Sequence, residues 1–156
     1  AAEVKEMVHI AHEEGFAVMS HTNGVYGVQA AVEAGADSVE HGNYMDKETV
    51  SMLSDSNTVW VPTLVTIRNL LGDGRYGDDT VGPVIRSAEE NLRIAFQKKA
   101  KVALGSDAGA YRVMHGTGIC QEYQAFLKIL GDTDEVRTWL KDGETEINRR
   151  FRHPRS

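Results

Sequence analysis

Val4, Met7, Val8 and Ala11 recur at the three-to-four spacing of an amphipathic helix over residues 2–14, and Gly15 stands where a C-cap belongs. The pattern then shortens. Residues 16–19 are an apolar run of strand length closing on Ser20 and His21, and residues 25–34 return to helical spacing and end at Gly35. Ser38, Val39 and Glu40 make a second strand. Asp46 as N-cap and Glu48 in the first turn open the next helix. Residues 58–61 hold the β-branched and aromatic side chains of a third strand, residues 84–100 predict the longest helix, and residues 102–104 a fourth strand. Between the third strand and its helix, residues 69–82 carry four glycines and consecutive aspartates and read as a long loop. After Asp107 the pattern gives a loop over 108–118, a helix over 119–130, a helical stretch near 135–140 and a charged tail.

Short apolar strands alternating with helices predict an α/β fold with parallel pairing, because each crossover lays a helix over the sheet. At 156 residues, 41% hydrophobic and 26% charged, the chain has the composition of one globular domain. A formal charge of −6 offers no basic field to phosphates or anionic lipid, so neither nucleic acid nor membrane is expected as a partner. Lys98, Lys99 and Lys101 suit a helix C-terminus, and Arg149, Arg150, Arg152 and Arg155 read as a solvated end. Cys120 stands alone, which excludes an internal disulfide and a cysteine zinc cluster and fits a reducing compartment. The first residue is not Met and the opening reads as already helical, so the front of the chain looks cut. Cytoplasmic location is the default expectation.

Three residues able to ligate a metal each follow a strand: His21, His41 after Glu40, and Asp107 within Gly105-Ser106-Asp107-Ala108-Gly109. In a parallel sheet or barrel the strand C-termini open on one face, where catalytic groups collect. Two imidazoles and a carboxylate match zinc, manganese, iron or nickel rather than the oxygen-only shells of calcium and magnesium. A bound ion of that class brings the pKa of its water from about 15.7 towards about 7, which suits hydrolysis.

His21, the Glu40-His41-Gly42 run, Pro62-Thr63-Leu64 and the Gly105–Gly109 run together resemble the later strands of the amidohydrolase superfamily, nearest its imidazolonepropionase-like and Xaa-Pro-dipeptidase-like branch. The resemblance implies that His21 and His41 bind a divalent metal centre, zinc first among the candidates, with one or two ions in a complete enzyme. It implies that Asp107 binds metal and shuttles a proton. It also exposes absences: neither the His-x-His of a first strand nor the carboxylated lysine of a fourth can be placed. A complete (β/α)8 barrel typically takes about 250 residues. The expectation is therefore a partial TIM barrel, strands five to eight, as a single domain over 1–156, with the site motifs in 15–109 and C-terminal helices and tail in 110–156.

The function implied is metal-dependent hydrolysis of a carbon–nitrogen bond in a small-molecule substrate, such as a cyclic amide, an acylated amino acid or a dipeptide. The alternative is a catalytically incomplete half-barrel, an assembly piece or truncated product, which could form a homo-oligomer through its open edges. His115, on the loop after Asp107, and Thr63 are candidate substrate contacts, and Glu40 a candidate partner orienting a metal ligand. His9 and His12 lack the spacing of a helical zinc motif and read as a solvated face, and Asp73, Asp78 and Asp79 lack calcium-loop spacing and read as solvated loop.

Overall fold

The computed structural model describes residues 2–152. Within them the order is α1 (Ala2–Glu13), β1 (Met19–Thr22), α2 (Gly24–Ala34), β2 (Ser38–His41), α3 (Lys47–Ser54), β3 (Val59–Val61), α4 (Val65–Arg68), α5 (Asp78–Gln97), α6 (Thr117–Leu130) and α7 (Asp134–Phe151). The strands form a parallel sheet in the order β1-β2-β3, with Met19 opposite Ser38 and Ser38 opposite Val59. Parallel pairing demands crossovers, and α2 and α3 supply them. Gly35 ends α2 in the left-handed conformation, φ 81°, and the Asp46 carboxylate accepts the Thr49 N–H at 2.8 Å to begin α3.

The core lies between the sheet and its helices. Trp60 is buried there with Val28, Val39, Leu53, Leu92 and Phe126, and its Nε1 donates to the His41 carbonyl at 2.8 Å. A smaller cluster, Val59, Val61 and Ala103, lies on the other side of β3 under Ile147 of α7. No helix among the described residues is long and apolar enough to cross a membrane.

Five elements differ from the sequence pattern, the first two being β1, which lies at Met19–Thr22 and so begins only where the expected strand over 16–19 ends, and the short helix α4, which was not expected. The expected fourth strand is a single bridge, Trp60 to Val102, held by Trp60 N–H to the Lys101 carbonyl at 2.8 Å and Ala103 N–H to the Trp60 carbonyl at 3.0 Å. β3 is too short to extend the ladder, and α7 lies so close to the Val102 carbonyl that only the bare backbone of Gly143 fits. The sheet is thus a three-stranded one with a bridged neighbour, not four full strands. Helix α5 begins at Asp78, inside the expected loop, because two aspartates in its first turn suit the helix dipole although Gly82 and Pro83 weaken the pattern. Helix α7 continues to Phe151, where a charged tail was expected. Ion pairs from Arg149 and Arg150 to Glu146 line it, and Arg150 is largely buried and reaches the Asp37 carbonyl at 3.3 Å. Arg150 is therefore not part of a solvated end, while Arg155 lies outside the described residues. His12, read as solvated, is hydrogen-bonded to the buried Asp37 carboxylate at 2.8 Å.

Candidate functional site

Strands β1 and β2 run side by side, so their C-terminal ends bring His21 and His41 to one place. By strand alternation Glu40, opposite His21, shares its face and His41 takes the other. His41 has φ 69°, a left-handed backbone at the strand end that re-aims its ring. As a result His41 Nε2 and His21 Nδ1 face each other at 2.9 Å, with the rings edge to face and centroids 4.4 Å apart. The rear nitrogen, His41 Nδ1, is hydrogen-bonded to the hydroxyl of Thr63 at 2.6 Å. Burial lowers the His41 pKa, the neighbouring His21 pushes the same way, and Asp107 opposes them. The neutral ring that results is the form that ligates a metal.

The other expected residues lie around this pair. Asp107 is exposed at φ 54°, close enough to act electrostatically on His41 and Glu40, and no hydrogen bond ties its carboxylate among the described residues. Glu40 accepts a hydrogen bond from the Ser38 hydroxyl at 2.5 Å, and its pKa is raised by burial against the lowering pull of Ser38 and His21. His115 is exposed over the Asp107 loop, its Nε2 3.7 Å from where a Cβ on Gly109 would stand. Thr63 is buried, at 3% exposure, and its hydroxyl is engaged with His41.

Four features have no counterpart in the motif reading. Asn23 and Asn43 follow the two histidines by two residues and tie their loops together, Asn43 N–H donating to Asn23 Oδ1 at 2.9 Å. A cavity of about 360 Å³ lies beside them, walled by Tyr44, Ile67, Leu70, Tyr76, Val81 and Val84. Asp73, expected to be solvated, has only 3% of its side chain exposed and binds the Tyr111 hydroxyl at 2.9 Å and Arg112 Nε at 2.6 Å, clasping the long loop to the loop after Asp107. Finally, Glu122 is fully buried on α6 and accepts the backbone N–H groups of Leu64 and Val65, each at 2.8 Å. One sequence signal for it existed: Glu122 falls on the stripe of Gly118, Ala125 and Phe126, where α6 turns inward.

The donor set fits a zinc-class ion in kind. Two nitrogens ligating one tetrahedral ion at about 2.0–2.1 Å stand about 3.3 Å apart, so the histidine pair needs to open only slightly. Thr63 already holds the rear nitrogen, as partners of ligating histidines do. Among the described residues, however, no group of three or more His, Cys, Asp and Glu side chains stands close enough to hold an ion. Asp107 does not close the set.

No protein-family model matches the chain. An uncharacterised protein of Mycobacterium tuberculosis is 29% identical over 132 residues, 81% of this chain and 35% of that protein. Ochratoxinase of Aspergillus niger is 29% identical over 111 residues, 67% of this chain and 23% of the enzyme. Among solved structures, a prolidase complexed with N-methylphosphonate-L-proline superposes with a TM-score of 0.71 at 22% identity, over 99% of this chain and 38% of its own. An amidohydrolase does so at 0.66 and 22%, over 91% and 37%. A Xaa-Pro dipeptidase with methionine bound in its active site does so at 0.62 and 25%, over 91% and 38%. These likenesses bear out the resemblance to the amidohydrolase superfamily, and the chain spans well under half the length of each of these proteins.

Proposed function

We propose that the chain carries part of the catalytic centre of a metal-dependent hydrolase of carbon–nitrogen bonds, with His21 and His41 holding a divalent ion, zinc before the others, and Asp107 as third ligand and proton carrier. The observation that carries this reading is the pair itself: parallel strands end with two imidazole nitrogens facing each other, the rear nitrogen of one already held by Thr63. When bound, such an ion supplies Lewis acidity and a lowered water pKa at neutral pH.

The chain's own residues divide the remaining work. Asp107, exposed and untied, can take a proton from the attacking water and turn to deliver it to the leaving nitrogen. Thr63 fixes the orientation of the His41 ring, and Glu40 sets a partly buried carboxyl beside His21. His115 stands over the Asp107 loop as a substrate contact. The similarity to a prolidase, a Xaa-Pro dipeptidase and an ochratoxinase supports a small substrate, an acylated amino acid, a dipeptide or a cyclic amide. The cavity beside Asn23 and Asn43 has room for one apolar side group of such a molecule.

The test is elemental analysis of the purified chain and of His21→Ala/His41→Ala, followed by hydrolysis of acylated amino acids and X-Pro dipeptides with zinc supplied. A stoichiometric ion lost in the double variant, and a rate that falls about 10²- to 10⁴-fold in Asp107→Asn, are expected. An ion absent from both proteins, or a rate indifferent to Asp107→Asn, overturns the reading. A second reading, a half-barrel completed by another chain, is favoured by the two ligands that meet while the third stands apart. It predicts that hydrolysis appears only when a chain bearing the remaining ligands is added.

A further inference from the structure

We propose that Glu122 is the positioning residue of the histidine pair, acting through the backbone of Thr63. This inference rests on His21 and His41 being the working pair of the site, but it concerns a helix that none of the site motifs includes. Thr63 has φ 50°, a left-handed backbone that a β-branched side chain adopts only when its surroundings over-determine it. That conformation aims its hydroxyl at His41 Nδ1, 2.6 Å away.

What holds Thr63 there is visible on both sides of the peptide that follows it. The Leu64 N–H donates to Glu122 Oε1 at 2.8 Å and the next N–H, of Val65, to Oε2 at 2.8 Å. The Thr63 carbonyl accepts the Thr66 N–H at 3.1 Å and the Thr66 hydroxyl at 2.8 Å. The peptide plane between Thr63 and Leu64 is thus pinned at its N–H end from α6 and at its carbonyl end from α4. Gripping two successive N–H groups takes two acceptor oxygens on one rigid fork, which a carboxylate has and an amide lacks.

A carboxylate kept at 0% exposure is unfavourable in itself, and burial pushes Glu122 up to about 7 against the opposing pull of the two N–H groups. A plain cap for the four-residue α4 would be met by a small polar residue at its own N-terminus, yet Leu64 stands there. With Thr63 fixed, its oxygen can accept from Nδ1–H of His41, which leaves Nε2 bare towards His21, the tautomer that ligation needs.

The test reads the His41 ring directly, by two-bond proton–nitrogen correlation NMR on the metal-free chain, in wild type, Thr63→Val, Glu122→Gln and the double variant, with thermal midpoints alongside. Wild type is expected to show one tautomer, protonated at Nδ1. Each single variant should move the ring nitrogens towards the average of two tautomers, and the double variant should match Thr63→Val in ring shifts while melting lower than either. If Gln at 122 does not fold, Glu122→Met, similar in length and without a buried charge, takes its place with the same readings. A Glu122 variant that melts lower with His41 shifts unchanged from wild type makes Glu122 merely structural. So does one that shifts the ring further when Thr63 is already Val. Because neither metal nor turnover is used, failed metal or hydrolysis assays sink the hydrolase reading and leave this result standing.

Discussion

At the scale of single residues the sharpest quantity is the ionisation of Glu122. Its carboxyl, ordinarily near 4.5, is pushed up to about 7 by burial, with the Val65 and Leu64 N–H groups and Arg68 pulling the other way. A group that binds its proton more tightly folded than unfolded contributes stability below its unfolded pKa and loses it as pH rises through the folded one. From pH 4.5 to about 7 the protein should therefore lose roughly 3 kcal/mol from this group. Asp46, Asp73, Glu144 and Glu146, all lowered, give the opposite slope at lower pH, so the signal lies in the difference between wild type and Glu122→Gln. Denaturant midpoints of both proteins across that window should diverge, and parallel curves would contradict the assignment. The contrast with His21, His41 and Asp107 explains what could be read from the chain. His21 and His41 stand at the ends of paired strands in recognisable runs, so their meeting was legible from order alone, whereas Asp107 follows a single bridge and stands apart from them. Glu122 works through the peptide N–H groups of residues 57 and 58 positions away, and backbone donors leave no trace in a sequence. Nor does the left-handed turn at His41, which decides that its ring meets His21 at all.

At the scale of elements, β2, β3 and the crossover helices were legible because burial imposes periodicity on them, whereas β1 has no buried position and begins only where the apolar run 16–19 ends. What escaped was decided by long-range contact. The fourth strand shrinks to one bridge because α7 takes the space beside Val102, a competition between segments about forty residues apart in the chain. The same contact yields a prediction. A Cβ on Gly143 would stand 1.7 Å from the Val102 carbonyl oxygen, and backbone cannot yield as a side-chain tip can. Gly143→Ala should lower stability by about 2–3 kcal/mol or more, outweighing a helix-propensity gain of about 1 kcal/mol. Gly82→Ala, in α5, meets only the mobile end of Arg86, so there the propensity gain should prevail. Thermal midpoints moving in opposite directions are expected; equal shifts would mean that α7 does not rest on Val102. The Asp73 clasp is likewise an element-scale device. Asp73→Asn keeps the shape but weakens the Arg112 pairing, so amide exchange should quicken together in residues 69–77 and 110–116 with little change in the overall melting midpoint. Acceleration in only one of the two loops would show that they are not joined through Asp73.

For the whole molecule, the two sides of the sheet are treated differently. β3 is followed by the Val102 bridge and covered by Ile147, whereas among the described residues β1 pairs with β2 alone and no strand lies on its other edge. Met19 on β1 is 57% exposed and Phe16, just before it, 67%, while Met7 and Ile10 on α1 are 70% and 51% exposed. An open strand offers unpaired N–H and carbonyl groups, and nearby apolar side chains add a driving force that needs no particular geometry. The formal charge of −6 opposes close approach, but screening with a Debye length of about 8 Å at physiological salt limits that opposition to short range. The chain is therefore expected to self-associate with rising concentration and more strongly at high salt. A lysine at the edge is the device by which sheets discourage such pairing, so Met19→Lys should shift sedimentation velocity profiles towards monomer without lowering the melting midpoint. Met19 is exposed and its loss opens no cavity, which separates this outcome from unfolding. A wild-type chain that sediments as a monomer at every concentration and salt would show that the β1 edge is already protected, and that a second copy of this chain does not complete the histidine site.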